Sequence, residues 1–446
     1  MKNFALIILL PLFLVSCDNF GTTRVKNLID LTPRLEVESA QKIKFSNARE
    51  LLLDEKKAKS FKLAKREIIA RPAIAKGVMY SVDGKGYVSA FSLKEQKILW
   101  SSDIAKGELD RSFSAGGVLF SDDKLYVTNS SRFLVILDAK TGHEIIRKEF
   151  PDILRAKPIM ATDRLLLVQT ISNQLLAYDI VSSKLVWLHE GGIETISTRS
   201  QAAPKVYNGH AIVSYSSGEV VYLDVTNGKE KWVYNLSTID DIGFPSFDPS
   251  VIVTEPIIHK NYVYFATSNA KLVKLDLSNG APAWIRDADD IQSMSLINNT
   301  LFVTNNARQA AALSSHNGKV LWVGNMISEK DRSGKRPKTA FFQAPFVSKT
   351  PNGFAVNIIA SNGELYQFAT GLPGTGLPGA DLSGIDKSGT DKSGTDKSGT
   401  GKPALSVPGQ LPVQPKIIKI VKGVMYHWIS CCNGKMYLMT NRKVQY

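Results

Sequence analysis

Short runs of four to seven apolar and β-branched residues recur along most of the chain, each broken by Asn, Gly, Ser or Asp. Tyr262–Ala266, Lys271–Leu275 and Ala283–Ile285 form one such series. Strand-forming segments bounded by turn residues predict β-structure. No stretch between them keeps an apolar period of 3.6 residues, so no helix is expected there. One phrase repeats within the pattern: an apolar strand ends on Asp or a small polar residue, a turn follows, and a Trp falls eight positions on. It reads Asp224, Gly228, Trp232 and again Asp276, Gly280, Trp284. Looser copies run from Asp179 to Trp187, Ser92 to Trp100 and Ser314 to Trp322, while Asp138 with Gly142 puts Ile146 in the Trp slot. The anchors at 92, 138, 179, 224, 276 and 314 are spaced by 46, 41, 45, 52 and 38 residues. Four short strands per unit of roughly 40–45 residues is the pattern of a propeller blade.

Two further segments, Glu364–Ala369 and Lys435–Thr440, continue the series to eight. The eight-residue step from Thr440 passes the final residue, Tyr446, so the last blade lacks its outer strand. A propeller closes to remove its edges, and Leu51–Lys65 is expected to supply the missing strand. The expected fold is therefore all-β: an eight-bladed propeller of four-stranded blades, closed by an N-terminal strand. Blade one is expected over Glu67–Asp103, with blades two to six ending near Pro151, Glu190, Leu236, Asp287 and Met326. Blade seven is expected over Ala340–Thr370 and blade eight from Lys416 to the end.

Three connections exceed ordinary turns: Gly191–Ala203, Thr238–Val253, and Ile327–Thr339 with its Lys330, Arg332, Lys335, Arg336 and Lys338. Long loops on a rigid scaffold are where partners bind. Residues 371–415 differ in kind, running Gly-Leu-Pro-Gly and then repeating Asp-Lys-Ser-Gly-Thr from Asp386. That composition cannot bury a core, so an unstructured insert is expected. It displaces the Trp slot of blade seven to Leu377, so that blade's outer strand must follow the insert (Ala404–Val407 is one candidate) or be absent.

The N-terminus sets the compartment. Lys2 precedes an apolar run from Phe4 to Val15, the length of a signal-peptide core and too short to span a bilayer. It ends Leu14-Val15-Ser16-Cys17, which resembles a bacterial lipobox and makes Cys17 the lipidated residue. Residues 1–17 are then a lipoprotein signal peptide, 18–50 a polar tether, and 51–446 the propeller. The net charge of +14 is spread across the blades without a basic, aromatic-lined groove, which disfavours nucleic acid. His143, His189, His210, His259, His316 and His427 fall in different blades with no metal-ligand spacing. No nucleophile elbow, P-loop or dinucleotide fingerprint occurs. Neither metal, cofactor nor catalytic residue is expected. Cys431 and Cys432 are adjacent; a vicinal disulfide and two small strand-end residues both remain open.

The Asp–turn–Gly–Trp phrase resembles the PQQ-type propeller repeat. With the lipobox, the tether and eight blades, the chain resembles the BamB family of outer-membrane assembly lipoproteins. That resemblance implies docking of Trp100, Trp187, Trp232, Trp284 and Trp322 against the neighbouring blade. It also implies a non-enzymatic scaffold of the BAM complex, anchored by lipid at the periplasmic face of the outer membrane and monomeric within the complex. Its interblade loops would bind the POTRA domains of BamA and so aid insertion of β-barrel proteins. The family's Leu-x-Leu-Arg segment before Ala-Pro matches Ile196, Thr198 and Arg199 before Ala203-Pro204, with Thr198 in place of a leucine. Its Asp-x-Asp pair before Thr-x-Pro is missing at Val251–Val253, leaving Asp240, Asp241 and Asp248 as stand-ins in the same loop. Asp18 after the lipidated cysteine leaves retention in the inner membrane open. Two other readings stand beside the scaffold: a periplasmic lipoprotein binding cell wall, and a PQQ-dependent dehydrogenase.

Overall fold

The computed structural model describes residues 60–445, apart from 193–201, 237–251, 327–340, 371–415 and several shorter segments. The first strand, β1, is Ser60–Lys62. Blades one to six follow as β2–β5 (Ala73–Asp103), β6–β9 (Gly117–Glu149), β10–β13 (Ile159–Glu190), β14–β17 (Lys205–Asn235), β18–β21 (Ile257–Asp287) and β22–β25 (Ile291–Asn325). Blade seven joins β26–β28 (Phe346–Thr370) to β29 (Lys416–Lys419). The last blade holds β30 (Met425–Cys431), β31 (Lys435–Thr440) and β32 (Lys443–Gln445), and β1 pairs with β32 to complete it. Eight four-stranded antiparallel sheets result, and the N-terminal strand closes the ring.

Two expectations need correction. Lys416–Lys419 does not open blade eight; it pairs with Glu364–Gln367 as the outer strand of blade seven. That strand does follow the insert, but later than Ala404–Val407, which lies outside the described residues. Lys435–Thr440 is also the second strand of its sheet, not the third, because the three-residue β32 lies between it and β1. A strand that short leaves no periodicity to read.

Each third strand is apolar on both faces because a blade is covered by a neighbour on either side. In Glu219–Asp224, Lys271–Asp276 and Gln309–Ser314 the four inner residues are buried and the ends half-buried. The outer strands are wetter, and Leu185, Val186 and Leu188 of Lys184–Glu190 are all exposed. In blades one to six the register between third and outer strands shifts by one residue just before the anchor. Such a bulge re-aims a side chain. Here it sets Trp100, Ile146, Trp187, Trp232, Trp284 and Trp322 opposite Ala90, Ile136, Ala177, Tyr222, Lys274 and Ala312.

The indoles then meet the next blade's turn. Trp100, Trp187, Trp232 and Trp284 donate through Nε1 to the carbonyls of Ala139, Val225, Leu277 and Ser315, at 3.1, 2.9, 2.9 and 3.2 Å. Each acceptor is the residue after an anchor. The fifth residue of each of these turns is a glycine at positive φ, and its missing Cβ leaves room for the ring face. A Cβ on Gly280 would fall 2.6 Å from Trp232 Cδ2, and one on Gly142 2.5 Å from Trp100 Cε3. Where the preceding blade offers no Trp, the glycine is gone. Blade two carries Ile146, and blade three has Ser183 (φ 57°) at the glycine position. Blade one follows the closing blade and has Gln96 (φ 59°). Trp322 faces blade seven, where the turn is interrupted at 371. Its ring lies 5.2 Å from that of Phe368, and its Nε1 has no acceptor among the described residues.

Candidate interaction face

Antiparallel blades send every connection from an outer strand to the next inner strand to the same end of the ring. The turns after the third strands lie at the opposite end. All three long connections therefore emerge on one face, while the insert leaves β28 on the other. The roots of the long connections are pinned. Gly191, Leu236 and Met326, each just beyond an outer strand, donate their backbone N–H to the carbonyls of Asn173, Gly218 and Arg308 at 2.7–2.8 Å. Those three acceptors all have positive φ. The Arg308 guanidinium also bonds the Met326 carbonyl through Nε and the Tyr366 hydroxyl through Nη2, tying blade six to blade seven. Phe342 N–H donates to Gln292 Oε1 at 2.7 Å, fixing the far end of the third connection. Beside these roots two apolar side chains are open to solvent: Val253 (44 % exposed) and Phe341 (65 %).

The same face opens into the central channel, a cavity of about 1180 Å³. Proline repeats at its wall: Arg71-Pro72, Lys157-Pro158, Ala203-Pro204, Glu255-Pro256 and Ala344-Pro345 each lead into an inner strand. Proline lacks the N–H that an inner edge strand would leave unpaired, and it holds the residue before it extended. All five residues before proline line the channel. Burial, followed by the charges of Lys205 and Arg71, pushes the Lys157 pKa down, and Glu255 partly restores it. Arg155 lies deeper, almost wholly buried, with Nη1 on Ser216 Oγ and Nη2 on the Ile171 carbonyl. Burial lowers its pKa to about 10, so it stays cationic at neutral pH.

Polar side chains also bridge blades near the outer edge. His189 Nδ1 sits 2.7 Å from the Tyr215 hydroxyl and Nε2 2.8 Å from Glu230 Oε1, joining blades three and four. Lys274, buried in a third strand, donates to the Ser315 carbonyl at 3.0 Å and lies 3.8 Å from the Tyr262 ring centroid. Desolvation pushes its pKa down. These contacts are spent on holding blades together. Among the described residues no three His, Cys, Asp or Glu side chains gather as a metal site.

Of the residues singled out in the sequence, Trp100, Trp187, Trp232, Trp284 and Trp322 lie at blade interfaces, all but the one between blades two and three in the run from blade one to blade seven. Ile196, Thr198, Arg199, Asp240, Asp241 and Asp248 lie outside the described residues, as do Cys17, Asp18 and Cys432; Cys431 ends β30. The described residues flanking those two stretches, Gly192 and Ala202, and Leu236 and Ile252, lie on the same face. The channel residues Arg71, Lys157, Lys205 and Glu255 had no part in the sequence expectations as a cluster. The proline after three of them was the available signal.

A family model described as "Outer membrane protein assembly factor BamB" matches residues 64–324. An uncharacterized protein of Rickettsia prowazekii is 37% identical over 449 residues, covering 100% of this chain and 99% of that protein. BamB of Escherichia coli K12 is 25% identical over 259 residues, 56% of this chain and 65% of that protein. The crystal structure of BamB from Moraxella catarrhalis superposes with a TM-score of 0.62 at 16% identity, over 87% of this chain and 97% of that one. A computationally designed protein, Ika8, superposes at 0.57 and 12% identity over 87% of this chain and 98% of its own. The structural likeness therefore speaks for the propeller fold, and the sequence match for the family.

Proposed function

Because the chain belongs to the family of the outer membrane protein assembly factor BamB, we propose that it is a scaffold lipoprotein of the outer-membrane β-barrel assembly machinery. Its role is to dock on the periplasmic POTRA domains of BamA and aid insertion of barrel proteins. In this reading Cys17 carries the lipid, residues 18–50 tether the ring to the periplasmic face of the outer membrane, and the propeller is a binding module with no reaction of its own. One observation carries the reading: the three long connections share one face, on roots pinned by backbone hydrogen bonds, with Val253 and Phe341 exposed beside them. Rigid bases with apolar anchors at the centre and charge at the rim are how protein interfaces concentrate their binding energy. Arg199, in the first of these connections, is assigned the rim contact. The test is crosslinking and pull-down of the lipidated protein from its native membrane, beside an Arg199→Glu variant. Recovery of BamA that falls with the variant is expected. No BamA with either protein overturns the reading, and cell-wall fragments in its place favour the wall-binding alternative.

A further inference from the structure

The channel wall is unbalanced in charge. Arg71 on blade one, Arg155 and Lys157 on blade three, and Lys205 on blade four line it, against a single carboxylate among the described residues, Glu255 on blade five. None of the side chains of Arg71, Lys157 or Lys205 makes an ion pair within the described part of the ring. Lys157 is also seated: its Cβ and Cγ lie 2.6 and 2.7 Å from where a Cβ on Gly117 would stand. The stem thus rests along bare backbone of blade two, and only a glycine there leaves the space. Its base is held while its ammonium, like the guanidinium of Arg71, stays open to solvent, and three cations in a recess with protein walls concentrate field into the recess and attract counter-charge. Like-charge repulsion at such a spot falls further when an anion enters.

We propose that the channel, at the end shared with the long connections, is a binding site for a small multivalent oxyanion, one bearing several carboxylates or phosphates. Arg71, Lys157 and Lys205 grip it from three blades, and Glu255 sets the lower limit of charge it must carry, since a monovalent anion gains little beyond what that carboxylate already supplies. Desolvation is the main cause of the depressed pKa of Lys157, and the charges of Lys205 and Arg71 add to it against the opposing charge of Glu255. The site does not depend on which partner the loops bind.

The test is isothermal titration of pyrophosphate, and separately of citrate, into the purified full-length lipoprotein at low ionic strength. Saturable binding of at least one of the two is expected, with citrate or pyrophosphate preference telling carboxylate from phosphate chemistry. Lys157→Gln should weaken binding by about tenfold or more, as loss of one charge-assisted contact does, and Gly117→Ala should weaken it without changing charge. Glu255→Gln should tighten it severalfold, a gain that misfolding cannot imitate. No heat from either anion at millimolar concentration overturns the proposal. So does binding that Lys157→Gln and Glu255→Gln both leave unchanged.

Discussion

The pairing of tryptophan with glycine across blades invites a double-mutant cycle. Gly280 has φ 73°, and a Cβ added there would lie 2.6, 2.8 and 2.9 Å from Cδ2, Cε3 and Cγ of Trp232. Those ring atoms belong to a side chain that is 8 % exposed and donates to the Leu277 carbonyl, so it has little room to retreat. Gly280→Ala should cost about 1–2 kcal/mol for a left-handed backbone conformation and about 1–3 kcal/mol for overpacking. With Trp232→Ile already present, only the backbone cost should remain, because the overpacked ring is gone. The chain has made this exchange once: Ile146 fills the Trp slot of blade two, and Ser183 takes the glycine position of blade three. The cycle should therefore show a coupling of about 1–3 kcal/mol, read from urea midpoints followed by far-ultraviolet circular dichroism. Costs that add to within about 0.5 kcal/mol, the behaviour of independent sites, would refute the account of why the glycines are where they are.

Three further outcomes follow from the same geometry. Replacing residues 371–415 by a short Asp-x-x-Asn-Gly turn should leave the melting temperature unchanged or higher and recovery of BamA unaffected, since β28 hands over to β29 on the face opposite the long connections. Arg308→Ala should lower stability by about 2–4 kcal/mol in thermal melts, since it strips donors from the Met326 carbonyl and the Tyr366 hydroxyl in a buried setting. The Asp224 and Asp276 carboxylates accept from the hydroxyls of Thr226 and Ser278 and from the same residues' N–H groups, which lowers both pKa values. Stability from a depressed carboxylate is complete above its unfolded pKa, about 3.9, and is lost as pH falls through the folded value. The Asp224→Ala/Asp276→Ala variant should thus be destabilised at pH 7 and lose less on acidification to pH 3 than the parent, measured as the difference between urea midpoints.

What the sequence made legible was whatever the repeat enforces. A third strand packed on both faces must be apolar at both parities, so Glu219–Asp224 and Lys271–Asp276 announce themselves. The indole and its turn recur at fixed spacing because one contact is built again and again. Closure by a strand from Leu51–Lys65 was readable from a blade that runs out of chain, and β1 lies inside that range. That the outer strand of blade seven follows the insert was readable, but which segment it is was not, because distance along the chain hid a pairing of β28 with β29 that is local in space. Buried cations were hidden for another reason. Arg155, Lys274 and Arg308 occupy core positions because carbonyls and hydroxyls of adjoining turns or blades receive them, and no pattern in one blade reports the acceptors of the next. The channel charges were scattered singly, and only the ring brings Arg71, Lys157, Lys205 and Glu255 around one cavity.

The central claim is that the face bearing the long connections is the one that meets BamA. Site-specific photocrosslinking tests it most directly, with the crosslinker placed at Val253 or Phe341 on that face, and at Asn227 or Asn279 in turns on the other. The account predicts BamA adducts in intact cells from Val253 and Phe341 and none from Asn227 and Asn279. Adducts from the turn positions alone, or no BamA adduct from any of the four, would contradict it.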